Sequence, residues 1–127
     1  MTSIGIGAFS HCESLTNITI PNSVTSIYGS AFYNCKSLTN VVIGNSVKSI
    51  FGSAFEGCTS LVRVVIPNSV IHIGNEVFYT CDKLTSIKYL GTKKEAMKLG
   101  IGDKSNKNWR KDSAIEKIIC TDGEIEL

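Results

Sequence analysis

The sequence predicts a β-rich, right-handed solenoid with a parallel sheet, closed by a small α+β cap, and three observations lead to this fold class. A unit of 23 residues recurs along residues 1–90, segments within each unit alternate apolar and polar residues, and the composition changes after residue 90. A short period kept strictly in register is typical of chains in which each unit forms one turn that stacks on its neighbours. We therefore expect one continuous core along the stack of turns.

The repeating unit consists of columns of equivalent residues and reads A-F-x-x-C-x-x-L-x-x-I-x-I-P-N-S-V-x-x-I. A period of about 20 to 29 residues with an L-x-x-I-x-I segment indicates a leucine-rich-repeat solenoid, in which each turn adds one strand to a parallel sheet. The phenylalanine and cysteine columns are expected to form a structural core ladder, and they comprise Phe9, Phe32, Phe55, Phe78, Cys12, Cys35, Cys58 and Cys81.

Each part of the unit predicts one local element. In residues 14–20, Ile18 and Ile20 alternate with polar residues, which is the two-residue period of a half-buried strand. Pro21, Asn22 and Ser23 then favour a turn. Val24 and Ile27 indicate a second short extended segment, and the Ala-Phe side is expected to contain a short helical or 3₁₀ piece.

The units at residues 8–27, 31–50 and 54–73 resemble the BspA-like class of leucine-rich repeats through their Ala-Phe-x-x-Cys-x-x-Leu and Ile-Pro-x-x-Val-x-x-Ile signatures. This resemblance implies a surface or secreted bacterial protein with a role in adhesion or in binding a host or matrix protein. The C-terminal tail is similar as well, with a Tyr-x-Gly-Thr segment at residues 89–92 and a Cys-Thr-Asp-Gly run at residues 120–123.

The two ends of the repeat array differ. The sequence enters the first unit midway, so we expect a C-terminal piece of a longer protein and an uncapped apolar edge at residues 3–20 that promotes self-association. Beyond residue 90, 15 of 37 residues are charged, against 9 of the first 90. We therefore expect two parts: a repeat solenoid at residues 1–90 and a C-terminal cap at residues 91–127.

Within the cap, the sequence predicts a short helix, a basic loop and a β-hairpin. Thr92-Lys93-Lys94-Glu95 reads as a capping box for a helix over residues 93–99, which Gly100 ends. Residues 114–120 and 124–127 are expected to be strands joined at Asp122-Gly123. The loop at residues 101–113 places four basic side chains around Trp109. We interpret that tryptophan as the anchor of the cap on the last repeat, rather than as part of a nucleic-acid site.

Four cysteines one turn apart predict a vertical ladder of side chains. A strand spacing of about 4.7 to 4.9 Å brings their Cα atoms within disulfide range, but parallel side chains keep the Cβ atoms farther apart than a disulfide prefers. We therefore expect free buried thiols that act as small apolar side chains. A linear ladder does not provide the convergent ligands of a zinc site, so we expect no metal and no cofactor.

No catalytic arrangement is recognisable. His11 adjoins Cys12, but it aligns with Asn34, Gly57 and Thr80, which indicates a variable surface position, and His72 aligns with serines. There is no G-x-S-x-G motif, no phosphate-binding glycine loop and no cluster of paired carboxylates. We predict that the protein is not an enzyme.

The exposed face of the sheet is the candidate binding surface, because an extended sheet is the usual partner platform of repeat proteins. We expect Val42, Val62 and Val65 to form an apolar patch around Arg63. The alternative is that these β-branched residues are present because they favour strands. The candidate residues are Asn17, Thr19, Asn40, Val42, Val62, Arg63, Val65, Ser86 and Lys88.

Charge and hydropathy exclude several classes of partner. A net charge of +2 without a clustered excess argues against a nucleic-acid binder, and no apolar run approaches the roughly 18 residues of a membrane-spanning helix. The sequence thus predicts a non-catalytic protein-interaction or adhesion module of a cell-surface or secreted bacterial protein, although no signal peptide is recognisable in it. The alternatives are a structural spacer that displays another domain and an accessory module that binds carbohydrate.

Overall fold

The computed structural model describes residues 2–127 and forms a solenoid of parallel strands. The start of the predicted repeat region at Met1 lies outside the described residues. Each turn has three sides: a strand of a larger sheet, a two-residue strand of a smaller sheet, and a side made of turns. The sides enclose one apolar core, as the stacking of incomplete units requires.

The major sheet has six strands in the order β10-β9-β8-β6-β4-β2. The repeats supply β2 (Asn17–Thr19), β4 (Asn40–Val42), β6 (Arg63–Pro67) and β8 (Ser86–Leu90), which pair in parallel. Their register is the sequence period itself, because Ile18 pairs with Val41 and Val41 with Val64. The predicted parallel sheet is confirmed.

The minor sheet forms the second side. It consists of β1 (Ser3–Ile4), β3 (Ser26–Ile27), β5 (Ser49–Ile50) and β7 (His72–Ile73), again parallel and in order. These strands are the second extended segment that the sequence indicates. Ile4, Ile27 and Ile50 are buried, because the isoleucine of each strand points into the core.

The third side is made of turns, and here the expected helical or 3₁₀ piece is wrong for the repeats. The N–H groups donate alternately within the turn and to the next turn, as Ser10 donates to the Gly7 carbonyl whereas Phe9 donates to the Ala31 carbonyl. Two residues per unit also have left-handed backbone, at the columns of Gly7 and His11. A helix needs consecutive right-handed residues, so these columns interrupt it in every unit.

A stack of phenylalanine rings occupies the core beside this third side. The rings of Phe32 and Phe55 lie 5.1 Å apart at 3° between their planes, and Phe55 and Phe78 lie 5.8 Å apart at 9°. These three side chains are fully buried. Phe9 and Cys12 differ from the prediction because they are only half-buried: no described turn covers them on the N-terminal side.

The C-terminal segment, residues 91–127, contains helix α1 (Lys93–Leu99), a 3₁₀ helix at Asn108–Arg110, β9 (Lys117–Cys120) and β10 (Gly123–Glu126). Thr92 and Glu95 form the reciprocal capping box that the sequence indicates, and Gly100 ends the helix with left-handed backbone. β9 is shorter than the predicted strand at residues 114–120. It forms an antiparallel hairpin with β10.

The C-terminal segment continues the stack as an irregular fifth turn. β9 pairs in parallel with β8, so that Ile118 follows Ile87 in the inward column. On the third side, Glu76 and Thr80 donate N–H groups to the Asn108 and Asp112 carbonyls. Trp109 is buried edge-on against Phe78, with ring centroids 6.1 Å apart. The tryptophan therefore extends the phenylalanine column, in agreement with its interpretation as an anchor.

Candidate interaction surface

The outer face of the major sheet is a regular grid of side chains, because the strands pair without a register shift. One column contains Thr19, Val42, Val65, Lys88 and Ile119, and its neighbour contains Asn17, Asn40, Arg63, Ser86 and Lys117. All nine candidate residues from the sequence thus lie on or beside one face, which we call the outer face. The hairpin adds Glu124 opposite Ile119 and Glu126 opposite Lys117.

The expected apolar patch on this face is smaller than the sequence suggests. Val62 is 54% exposed, but Val65 is only 5% exposed and Val42 is half-buried. Val65 lies outside the interior core cluster, and Val42 and Lys88 flank it in register. Neighbouring strands are about 4.8 Å apart, so the flanking side chains cover this short one. Val65 is therefore a packing residue of the face and not an exposed contact.

Arg63 lies at the centre of the outer face and is fixed in place. Its Nη1 donates to Asn40 Oδ1 at 3.0 Å, a bond between side chains one turn apart. The guanidinium retains further N–H donors in its rigid fork, and both Arg63 and Lys88 are exposed. The middle of the face therefore combines positive charge with the exposed methyl groups of Val62.

The positive charge of the centre gives way to mixed charge toward the hairpin, where β10 adds Glu124 and Glu126. Lys117 Nζ lies 3.5 Å from Glu124 Oε1, which neutralises that lysine in part. At the other end of the face, Asn17 and Thr19 are exposed and uncharged. The outer face thus runs from a neutral polar end through a positive centre to a mixed-charge end.

A column of threonines borders the face and shows one exception. Thr39 Oγ1 donates to the Thr16 carbonyl of the preceding turn at 3.0 Å. Val62 occupies the next position in this column and has no hydroxyl to make such a bond. Its methyl groups therefore have no role in the hydrogen-bonded ladder and lie exposed on the surface.

All five cysteines are free thiols, and those of the ladder are aligned. The thiols of Cys35, Cys58 and Cys81 donate to the carbonyls of Phe9, Phe32 and Phe55 at 3.1, 3.2 and 3.2 Å. Burial raises the pKa of Cys58, and it raises the pKa of Cys81 to about 12. A protonated thiol is a weak nucleophile and a weak metal ligand. The ladder is thus suited to packing and to hydrogen bonding between turns.

The two histidines lie apart from this ladder, on the surface. His11 is exposed with left-handed backbone and contacts the ring of Tyr33. His72 is exposed on the minor sheet and contacts the ring of Phe51. Over residues 2–127, no three His, Cys, Asp or Glu side chains converge as metal ligands would. In the same range, no helix has the length and apolar character to cross a membrane.

One surface feature was missed at the sequence level. Tyr28 and Phe51 stack on the outer face of the minor sheet, with ring centroids 5.1 Å apart and planes at 4°. His72 continues the row at 5.4 Å from Phe51. The signal was present, since Tyr28 and Phe51 occupy one column of the repeat, but Gly5 and Gly74 fill its other positions and obscure it.

Comparisons with known proteins agree with this architecture. The family model described as "BspA type Leucine rich repeat region" matches residues 1–98 with six copies. A search of curated proteins gave no match. Among solved structures, a leucine-rich repeat protein of T. pallidum is 27% identical with a TM-score of 0.58, over 69% of this chain and 52% of that one.

Two further solved structures come from bacteria. A leucine-rich repeat protein of Bacteroides ovatus is 29% identical with a TM-score of 0.50, over 69% of this chain and 35% of that one. A leucine-rich cell surface protein of Faecalibacterium prausnitzii is 28% identical with a TM-score of 0.59, over 78% of this chain and 32% of that one. The matched region is thus about a third to a half of each of the three structures.

Proposed function

Because the chain belongs to the BspA-type leucine-rich repeat family, we propose that it is a non-catalytic module that binds a protein partner on the outer face of its major sheet. The observation that carries this proposal is the position of Arg63 at the centre of that face. Its guanidinium is fixed by Asn40, exposed, and adjacent to the exposed Val62. Arginine beside apolar surface is the combination found at the energetic centre of many protein interfaces.

The charge of the face determines the partner chemistry. Arg63 and Lys88 leave the centre positive, and neither lies within ion-pair distance of a carboxylate in residues 2–127. The proposed partner therefore presents an acidic side chain to Arg63 and an apolar one to Val62. Extracellular host or matrix proteins are the proposed class. The description of the F. prausnitzii protein as a cell surface protein supports a surface or secreted location.

The test is a double variant on the outer face, assayed against an array of purified matrix proteins and glycans. Arg63→Glu with Val62→Lys replaces the guanidinium by a carboxylate and the apolar contact by a charge, so binding of a protein partner should fall by about tenfold or more, in line with a loss above 1.4 kcal/mol. Both residues are exposed, and we expect the melting temperature to change little. Val65→Lys is not suitable here, because it would place a charge at a buried position.

A matched control distinguishes the face from general charge. Lys36→Glu with Thr59→Lys changes the net charge by the same amount at two exposed loop positions away from the outer face. This control should bind as the parent chain does. Equal binding by both double variants would contradict the proposal, and an array without any hit would favour a structural spacer.

The carbohydrate-binding alternative has one observation in its favour, which is the aromatic row of Tyr28, Phe51 and His72. Aromatic side chains with a few polar neighbours are common in small-ligand sites, and Ser26 and Ser49 lie on the same face of the minor sheet. Glycan hits that disappear in Tyr28→Ala but persist in the Arg63 double variant would support this alternative.

A further inference from the structure

A cleft lies between helix α1, the end of β8 and the third repeat unit at residues 54–73. Its volume is about 230 Å³, which equals the liquid volume of roughly seven or eight waters. Apolar side chains of Val70, Ile71 and Leu99 line part of it, and the polar residues Asn68, Tyr89, Glu95 and Lys98 complete it. The cleft is thus a small, partly apolar site with a few polar groups.

Two columns of the repeat change character at this cleft. Ile71 follows Thr2, Thr25 and Lys48 in its column, and it is 76% exposed where the others are polar. Tyr89 follows Ile20, Ile43 and Ile66, so a hydroxyl replaces a purely apolar end. Both changes bring binding groups to the cleft: an exposed apolar side chain and a phenolic hydroxyl.

Tyr89 provides a hydrogen-bond donor to the cleft. The residue is 98% buried, since only 2% of its surface is exposed, and it lines the cleft. Its hydroxyl has no side-chain hydrogen bond within residues 2–127 and is not among the fully buried unpaired atoms, so it is open to the cleft. Burial raises the pKa of Tyr89, and the nearby Glu95 carboxylate raises it further. The phenol thus keeps its proton at neutral pH and can donate it to an acceptor on a ligand.

The two charged side chains of the cleft, Glu95 and Lys98, differ in whether other groups of the chain already bind them. Glu95 Oε1 accepts from the Thr92 N–H at 3.0 Å, and Oε2 accepts from Asn68 Nδ2 at 3.3 Å. Its charge also lies in the first turn of α1, where the helix dipole offsets it. Lys98 has no carboxylate within ion-pair distance in the described chain. The polar groups that remain able to bind a ligand are therefore two hydrogen-bond donors, the Lys98 ammonium and the Tyr89 hydroxyl.

We propose that this cleft binds the C-terminal residue of a peptide whose last side chain is apolar. The terminal carboxylate accepts from Lys98 and Tyr89, and the side chain packs against Ile71 and Leu99. The last N–H of the peptide donates to the side-chain carbonyl oxygen of Asn68. The NH₂ group of the same side chain donates to Glu95. Capture of a terminal carboxylate is a recurring mode of peptide recognition. The proposal does not depend on any use of the outer face.

The test uses N-acetyl-L-leucine as the probe and N-acetyl-L-leucinamide as its uncharged match, titrated into the ¹⁵N-labelled chain and followed by NMR. The acid should bind two- to fivefold more tightly than the amide, the range expected of a solvent-exposed ion pair, and should shift the resonances of Ile71 and Leu99. Equal affinity for the two probes, or no saturable shift, would overturn the proposal. Tighter binding of free L-leucine would also overturn it, because it would assign the cleft to amino acids.

Variants locate the binding groups. Lys98→Met should remove the preference for the acid, whereas Lys94→Met, on the same helix but outside the cleft, should retain it. Tyr89→Phe removes only the hydroxyl and should weaken binding of the acid more than binding of the amide. Ile71→Thr restores the residue of its column and should weaken both probes. If Lys94→Met and Lys98→Met had equal effects, the carboxylate contact would be refuted, since both lysines are exposed.

Discussion

At the scale of single residues, the phenylalanines of the repeat are among the largest fully buried side chains. Phe32, Phe55 and Phe78 are fully buried, and each stacks on the ring of an adjacent turn. A ring in the middle of the stack contacts neighbours on both sides, so its removal leaves a cavity that the turns cannot collapse around. Phe9 has a ring on one side only among the described residues.

Truncation of this column should therefore have a position-dependent cost. We expect Phe55→Ala to lower the free energy of unfolding by about 3 to 5 kcal/mol, the range for a buried aromatic residue. Phe9→Ala should cost clearly less, because Phe9 is half-buried. Denaturant unfolding of both variants measures the difference. A loss below about 1 kcal/mol for Phe55→Ala would contradict the stacked core.

The buried thiols make stability depend on alkaline pH. The pKa of Cys81 is raised by burial from 9.0 to about 12 in the folded chain. Between these values the unfolded chain has lost the proton and the folded chain retains it, so the free energy of unfolding falls as pH rises. The slope is about 1.4 kcal/mol per pH unit for one thiol, and the contribution is fully present below pH 9.

Comparison with Cys81→Ala isolates this contribution. The variant should show a stability that falls less steeply above pH 9, by about 1.4 kcal/mol per pH unit, in urea titrations at a series of pH values. Below pH 9 the two pH profiles should run parallel, offset by the packing cost of the substitution. Parallel profiles above pH 9 as well would show that the thiol titrates in the folded chain as it does in the unfolded one.

At the scale of the element, one capping box stabilises the start of helix α1. Thr92 Oγ1 accepts from the Glu95 N–H at 3.1 Å, and Glu95 Oε1 accepts from the Thr92 N–H at 3.0 Å. A helix of seven residues has few internal hydrogen bonds, so the cap is a large fraction of what holds it. The helix also receives a bond from outside, since the Lys93 N–H donates to Asp122 of the hairpin.

Loss of the cap should destabilise the C-terminal segment. We expect Thr92→Ala to lower the free energy of unfolding by about 0.5 to 2 kcal/mol, because the Glu95 N–H loses its acceptor. Thr121→Ala is the control, as Thr121 is exposed and only its backbone N–H is engaged, with the Gly91 carbonyl. Denaturant unfolding measures both, and equal losses would mean that the capping box contributes nothing specific.

The regular elements were predictable because the same sequence pattern for each element occurs in several repeats. The strand, the turn and the inward columns recur at fixed spacing, and a period of two within the unit leaves one assignment of inside and outside. The helix at residues 93–99 was predictable from its local capping chemistry. The 3₁₀ expectation for the repeats failed because left-handed backbone at His11 and Thr80 is invisible from residue type; neither residue requires that conformation.

The candidate site was less predictable than the fold. The outer face follows from strand alternation, but burial within it depends on the lengths of neighbouring side chains. Val65 is covered and Val62 is exposed, although both were expected to be exposed. The cleft beside α1 depends on how the helix packs across the third and fourth repeats, which no repeat column encodes. What the sequence did contain was the exceptional Ile71 and Tyr89, two breaks in otherwise regular columns.

At the scale of the described molecule, the irregular fifth turn covers one end of the solenoid. β9 and the 3₁₀ helix pair with the fourth repeat as another repeat would, and Trp109 covers the last phenylalanine ring. The antiparallel β10 then carries Glu124 and Glu126 along the edge of the sheet. Charged residues on an edge strand discourage pairing with another chain, so this end is protected against association.

The opposite end of the described solenoid has neither a covering turn nor a charged edge strand among the described residues. Ile6 is 82% exposed, and Leu15 and Ile18 are half-buried. β2 is the outermost strand of the major sheet there, and it is short and uncharged. An edge with free backbone groups beside exposed apolar side chains is a template for pairing. We therefore expect this 127-residue chain to self-associate through its first turn as concentration rises.

A pair of lysine substitutions tests that expectation. Ile6→Lys places a charge at an exposed apolar position of the first turn and should shift the monomer–dimer equilibrium toward monomer by about tenfold, the effect of 1.4 kcal/mol. Ile71→Lys is the control, because Ile71 is similarly exposed, at 76%, but lies at the cleft beside α1. Sedimentation equilibrium over a range of concentrations measures both. Association through the first turn would be contradicted if Ile71→Lys reduced association as much as Ile6→Lys does, or if the chain stayed monomeric at every concentration. It would be supported if the protection of β2 from hydrogen exchange rose with concentration.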